Sequence, residues 1–214
     1  MRKIASEPKP GRPIQGSGNA VTTVLKPDNF TRGVVTNIHQ GDCVVAGEPE
    51  TTLSTVLGSC ISACVRDRVA RIGGMNHFLL ASQSGNSRDR FGESARYGAF
   101  AMEQLINMVL TRGTGKKANL EFKAFGGGNI HSGMNDVGLK NIEFMREFLT
   151  DEGYELLGQD LGGSFARRVM FQPYTGRAFV KRLESTDSAL LVGDELAIAR
   201  RQVKKPKLYD IELF

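Results

Sequence analysis

Cys60 and His77 lie in one glycine-flanked stretch, LGSCISACVRDRVARIGGMNHF, residues 57–78, of a chain that holds only three cysteines and three histidines. A free thiol titrates near about 8.5 and stays mostly protonated at neutral pH. An adjacent imidazole that takes the proton leaves a thiolate–imidazolium pair, a strong nucleophile. Gly58 before the cysteine, and Gly73 and Gly74 before the histidine, leave room for a substrate main chain to approach. The backbone N–H groups of Ser59 and Cys60 are candidate donors to an oxyanion. A third group usually fixes the tautomer of such a histidine. On a continuous strand Ser54 shares the face of Cys60 because the offset between them is even. Thr52 and Thr55 offer the same hydroxyl nearby.

The flanking segments must bring these residues together. CISACVR and RIGGMNHF read as strands. A turn centred between Arg68 and Val69 makes them a hairpin that sets Cys60 opposite His77, with Cβ atoms about 5 Å apart. A bulge at Gly73-Gly74 would move that partner by one. The residues admit other readings. A cysteine in a β-rich run often serves as a small hydrophobe, and periodicity alone favours that reading. Cys64 has the same parity as Cys60 and reads as core. Metal binding is disfavoured, because the stretch has no CxxC, HxxxH or HExxH spacing. Cys43 and His39 look incidental, and His131 reads as a surface histidine. FGGGN, residues 125–129, lacks the spacing of a phosphate loop. It reads, like DLGG at 160–163, as a tight backbone passage beside the site.

Residues 1–33 are rich in Pro, Gly, Lys and Asn without periodicity and are expected to form a mobile leader. Short β-branched runs follow: VVTNI, CVVAG and TTLSTVLGS, then the two strands already described. SARYGAFAMEQLINMVLTRG carries Phe100, Met102, Leu105, Ile106, Val109 and Leu110 at helical spacing, opened by Ser94 and closed by Gly113. LEFKAF is a strand. A second helix lies within VGLKNIEFMREFLTDEG, with Ile142, Met145, Phe148 and Leu149 as its apolar stripe and Gly153 at its end. YELLGQ, RRVMFQ and RAFVKRL are strands, the last two a hairpin about PYTG. Residues 184–214 form a C-terminal extension with one short helix near DELAIARRQ. Strands outnumber helices and do not alternate with them. The expected fold is therefore α+β: a strand-rich α/β sandwich of mixed sheets with two main helices packed on it, in one domain over residues 34–183.

Composition excludes several function classes. The net charge of +5 gathers in the leader (Arg2, Lys3, Lys9, Arg12, Lys26 and Arg32 against Glu7 and Asp28), which is not the footprint of a nucleic-acid groove. No apolar run reaches the roughly 20 residues of a membrane span, and the N-terminus lacks the apolar region of a secretory signal. An odd number of cysteines argues against a disulfide framework. A cytoplasmic protein with free thiols is expected.

Several blocks, taken in order, resemble the chemoreceptor glutamine deamidases of the CheD family. They are STVLGSCISACVRD with IGGMNHFLL, ARYG at 95–98, KAFGGGN, KNIEFMREFLTDEG, DLGGSFARRVMFQPYTG and VKRL. The resemblance runs from about Thr36 to Leu183. It implies hydrolysis of glutamine side-chain amides on the cytoplasmic helices of chemotaxis receptors, releasing glutamate and ammonia. In some members it also implies receptor methylesterase activity or binding of a CheC-type phosphatase. By position it implies Cys60 as nucleophile, His77 as base and Ser54, where the family commonly has threonine, as the orienting hydroxyl. Neither metal nor organic cofactor is implied. The alternative is a binding module of the same fold that docks receptors or a CheC-type phosphatase without chemistry.

Overall fold

Alternation along TLSTVL sets the inner layer of the molecule. Leu53, Thr55 and Leu57 point one way from this strand, and the two leucines are fully buried. The computed structural model describes residues 33–80, 93–130 and 137–183. Its strands are β1 Val35–Asn37, β2 Cys43–Ala46, β3 Thr52–Leu57, β4 Ile61–Asp67, β5 Ile72–Asn76, β6 Leu120–Gly126, β7 Leu156–Leu161, β8 Arg167–Gln172 and β9 Arg177–Arg182. The helices are α1 Glu93–Arg112 and α2 Val137–Asp151. Residues 1–32 of the expected leader, His131 and the expected extension from residue 184 lie outside the described residues.

One sheet has the order β1-β3-β8-β9 and the other β2-β5-β4-β6-β7. Pairing is antiparallel except at β1–β3 and β6–β7, and α2 is the crossover between β6 and β7. The sheets pack face to face through Leu53, Leu57, Val169, Phe171 and Val180 on one side and Cys60, Cys64, Met75 and Phe125 on the other. The opposite face of the five-stranded sheet presents Val45, Ala63, Val65, Phe122 and Ala124 to the helices. The expected α+β sandwich with two helices on it is what the chain forms.

The helices dock by their apolar stripes. Met102, Leu105, Ile106 and Val109 of α1 are buried, as are Ile142, Met145 and Leu149 of α2. Phe100 was expected in the first stripe but is 62% exposed. It lies about 200° around the helix from Met102. The PYTG hairpin forms as read, with Gln172 opposite Arg177.

The β4–β5 hairpin differs from expectation by two residues. Asp67 pairs with Ile72, Val65 with Gly74 and Cys64 with Met75. The loop is therefore Arg68–Arg71, not a tight turn on Arg68-Val69. The cause is Asp67, whose buried carboxylate accepts the N–H groups of Val69 and Ala70 at 3.0 Å each and that of Thr114 at 2.7 Å. An aspartate that caps its own turn fixes a wider loop, and Arg71 closes it at φ 57°. Gly73 and Gly74 also serve differently than expected. A Cβ on Gly74 would fall 2.7 Å from Leu105 of α1 and 2.6 Å from the Val44 carbonyl, so this glycine admits the helix and β2, not a substrate.

Candidate active site

Three segments each send one side chain into the layer between the sheets. Thr55 comes from β3, Cys60 from the turn where the chain leaves one sheet for the other, and His77 from just beyond β5. The Thr55 hydroxyl lies 2.9 Å from His77 Nδ1 and donates to the Ile38 carbonyl at 2.7 Å. A hydroxyl has one proton, so with that proton on Ile38 its lone pairs accept from Nδ1–H. The ring is thereby held as the tautomer whose Nε2 carries the lone pair. Nε2 is buried and has no hydrogen-bond partner among the described residues. An unpartnered buried nitrogen is costly unless it has work to do.

The hydroxyl on His77 thus belongs to Thr55, not to Ser54 as expected. The shared face expected for Ser54 and Cys60 requires one continuous strand through Gly58. The chain instead changes sheets there, and the count restarts. Within β3, Ser54 alternates with Leu53 and Thr55 and faces away from the inner layer. Thr52 faces the same way as Ser54.

Cys60 and His77 do not stand directly opposite. Ile61 and Phe78 form the bridge, exchanging N–H···O bonds of 2.9 Å in both directions. Cys60 and His77 each immediately precede a bridged residue, so they share a face and stand diagonally, a separation of about 7 Å or less between Cβ atoms. The two-residue change of register moved the partner but kept the face.

The turn that carries Cys60 is held by its carbonyls. Gly128 N–H donates to Gly58 O at 2.7 Å, Asn141 Nδ2 to Ser59 O at 2.8 Å and Gly127 N–H to Cys60 O at 2.7 Å. A trans peptide directs its N–H opposite to its C=O. Tying down the carbonyls of Gly58 and Ser59 therefore turns the N–H groups of Ser59 and Cys60 away from the glycine block. Gly126, at φ 110°, has no space for a side chain, since a Cβ there would lie 2.1 Å from Cys60 O. The passage read from FGGGN is the clamp on this turn. DLGG supports it through Gly162 N–H on Gly126 O at 2.9 Å. The fully buried Arg167 anchors that second loop through Asp160 and the Gly162 carbonyl.

Asn141 is the residue that sequence reasoning passed over. It is wholly buried on α2, and its Oδ1 also accepts the Leu80 N–H at 2.9 Å. One amide therefore ties the Cys60 turn to the segment carrying His77. The available signal was a lone polar residue inside the Ile142–Met145–Leu149 stripe.

Burial sets the electrostatics. Cys60 is 0% and His77 6% exposed. Burial lowers the His77 pKa from 6.5 to about 4, against the Ile38 carbonyl and the charge of Asp42, which raise it. The resting imidazole is therefore neutral, able to accept a proton during attack instead of holding one beforehand. Cys64 is fully buried and burial raises its pKa far above the ordinary thiol value. Cys43 rises to about 11 for the same reason. Partial burial raises the Tyr97 pKa, and a thiolate at Cys60 would raise it further. His39 is exposed, 3.4 Å from Asp42. Among the described residues no three His, Cys, Asp or Glu side chains gather as a metal site.

The fold and site thus define a two-sheet α+β protein with a hydroxyl–imidazole pair and a thiol in its inter-sheet layer. The family model described as CheD chemotactic sensory transduction matches residues 79–182. Relatives match across more of the chain. "Probable chemoreceptor glutamine deamidase CheD" of Methylobacillus flagellatus is 44% identical over 181 residues, 80% of this chain and 88% of that one. The protein of the same name from Caulobacter vibrioides is 45% identical over 167 residues, 78% and 87% of the two chains. That from Rhodopseudomonas palustris is 35% identical over 210 residues, 95% and 98%. The chain belongs to the CheD family. The family model's match begins at Leu79, past Cys60 and His77, so it does not itself speak to that pair.

Proposed function

We propose that this protein hydrolyses the side-chain amide of glutamine on chemotaxis receptors, with Cys60 as nucleophile, His77 as base and Thr55 as the group that orients His77. The names of the relatives support the substrate class. The observation that carries the residue roles is Nε2 of His77, buried and without a partner among the described residues while Thr55 holds Nδ1, in the layer that also contains Cys60.

In this reading His77 Nε2 takes the Cys60 thiol proton as sulfur bonds to the carboxamide carbon. The N–H groups of Ser59 and Cys60 receive the oxyanion. The C–N bond then breaks, the leaving nitrogen takes the proton from Nε2, and ammonia departs. Water, deprotonated by His77, cleaves the thioester to give glutamate and restore the thiol. The same acyl chemistry on a glutamyl methyl ester would release methanol, the methylesterase activity that the family resemblance implies. The receptor face that carries such glutamines is cytoplasmic, so the protein acts there. No helix among the described residues is long and apolar enough to cross a membrane.

One observation favours the adaptor reading. Cys60 is fully buried, so a protein-borne amide reaches it only after the covering groups move. One experiment separates the readings. A receptor cytoplasmic fragment is incubated with wild type and with Cys60→Ala, and its glutamines are followed by mass spectrometry. Amide-to-acid conversion by wild type alone is expected. Equal conversion by Cys60→Ala overturns the mechanism, and receptor binding without conversion leaves an adaptor. Competition by a CheC-type phosphatase at the same mouth would appear as slower conversion when it is added.

A further inference from the structure

The turn between β1 and β2 is built onto the site. Ile38 O accepts the Thr55 hydroxyl at 2.7 Å. Gly41 N–H donates to His77 O at 2.7 Å, and His77 N–H donates to Asp42 O at 3.1 Å. Gln40 is the residue between these anchors, and its side chain reaches the sulfur. The Cys60 thiol donates to Gln40 Oε1 at 3.8 Å, a length suited to a weak sulfur hydrogen bond. Gln40 ends in a primary carboxamide, the group that the reaction proposed above consumes.

We infer that the carboxamide of Gln40 is a built-in occupant of the amide site, which it must vacate before a glutamine from another protein can reach Cys60. This rests on the deamidase reading of Cys60. The ligand class is a primary carboxamide, and the chain supplies one itself. The contact blocks chemistry rather than starting it, because a thiol donating to Oε1 has kept its proton.

An occupant that fills a site for part of the time scales every competing event by the open fraction. Removing the amide should speed reaction of Cys60 with a small reagent and lower KM for receptor by the same factor, roughly 3- to 10-fold for one hydrogen bond. The test uses the full chain and iodoacetamide, itself a small primary amide, with alkylation of each cysteine followed by peptide mass spectrometry. Gln40→Ala is expected to accelerate alkylation of Cys60 while Cys64 stays unreactive, with KM for the receptor fragment falling in parallel. Gln40→Met, similar in length but without an amide, is expected to follow it.

Unchanged or slower alkylation of Cys60 overturns the proposal. So does a rise shared by Cys64, which is general opening, or a Gln40→Met protein that behaves as wild type, which leaves bulk and not the amide in control. The alkylation arm needs no receptor. If wild type fails to convert receptor glutamines, the deamidase reading fails while the Cys60 ratio still decides the Gln40 contact. If wild type converts them and the ratio does not move, the Gln40 proposal fails alone.

Discussion

Thr55 bridges Ile38 and His77, giving its one proton to the carbonyl at 2.7 Å and receiving Nδ1–H at 2.9 Å. That arrangement fixes a tautomer, so its removal should act on catalysis beyond its effect on stability. Thr55→Val keeps the β-branched shape and removes the hydroxyl. It is expected to lower kcat on receptor fragment on the order of 10²-fold, the lower end of what a positioned base supplies. Thr55→Ser should retain most activity. Ser54→Ala, facing away from the inner layer, should stay within about twofold of wild type. Loss of activity in Ser54→Ala with none in Thr55→Val would reverse the assignment.

His77 should also leave a signature in the pH dependence of folding. Its pKa is about 4 in the folded protein and near 6.5 when the ring is free. Between those values the unfolded chain binds the proton that the native one excludes, so stability rises with pH across this window. Equivalently, stability that is full above about pH 6.5 is lost as pH falls towards 4, and the loss ends below that. The shift corresponds to about 3 kcal/mol. Denaturant melts from pH 7 to 4 should show a decline that His77→Gln removes in part. An identical pH slope in that variant would mean that His77 is not buried neutral.

The elements were legible where periodicity and turn chemistry agreed. The two helices, the β8–β9 hairpin and the run of short strands all carry such agreement. What escaped the sequence were decisions made by single side chains at chain reversals. Asp67 caps its own loop and moves the β4–β5 register by two, which pattern alone does not weigh. The chain changes sheets between Leu57 and Ile61, so parity counted across that turn pointed to Ser54 in place of Thr55. The shared face of Cys60 and His77 survived because the register moved by an even number. Gln40 and Asn141 carried no motif, and only contacts between distant segments identify them.

Asn141 tests whether the Cys60 turn is shaped for catalysis or only held in place. Its Nδ2 fixes the Ser59 carbonyl at 2.8 Å, and so directs the Cys60 N–H, while Oδ1 holds Leu80 N–H at 2.9 Å. Asn141→Asp keeps the acceptor for Leu80 and puts an oxygen against the Ser59 carbonyl, which should rotate that peptide. If its N–H serves the oxyanion, kcat and kcat/KM should fall together by about 10²-fold, the scale for loss of one such donor. Alkylation of Cys60 by iodoacetamide has no oxyanion and should stay within about twofold of wild type. A merely structural role predicts something else: melting temperature, alkylation and turnover would all shift together. Asn141→Leu removes both bonds and should cost about 1–3 kcal/mol for each buried group left unpaired. The aspartate variant is therefore the informative one. Unchanged turnover in Asn141→Asp, with the protein folded, would remove the Ser59–Cys60 peptide from the catalytic machinery.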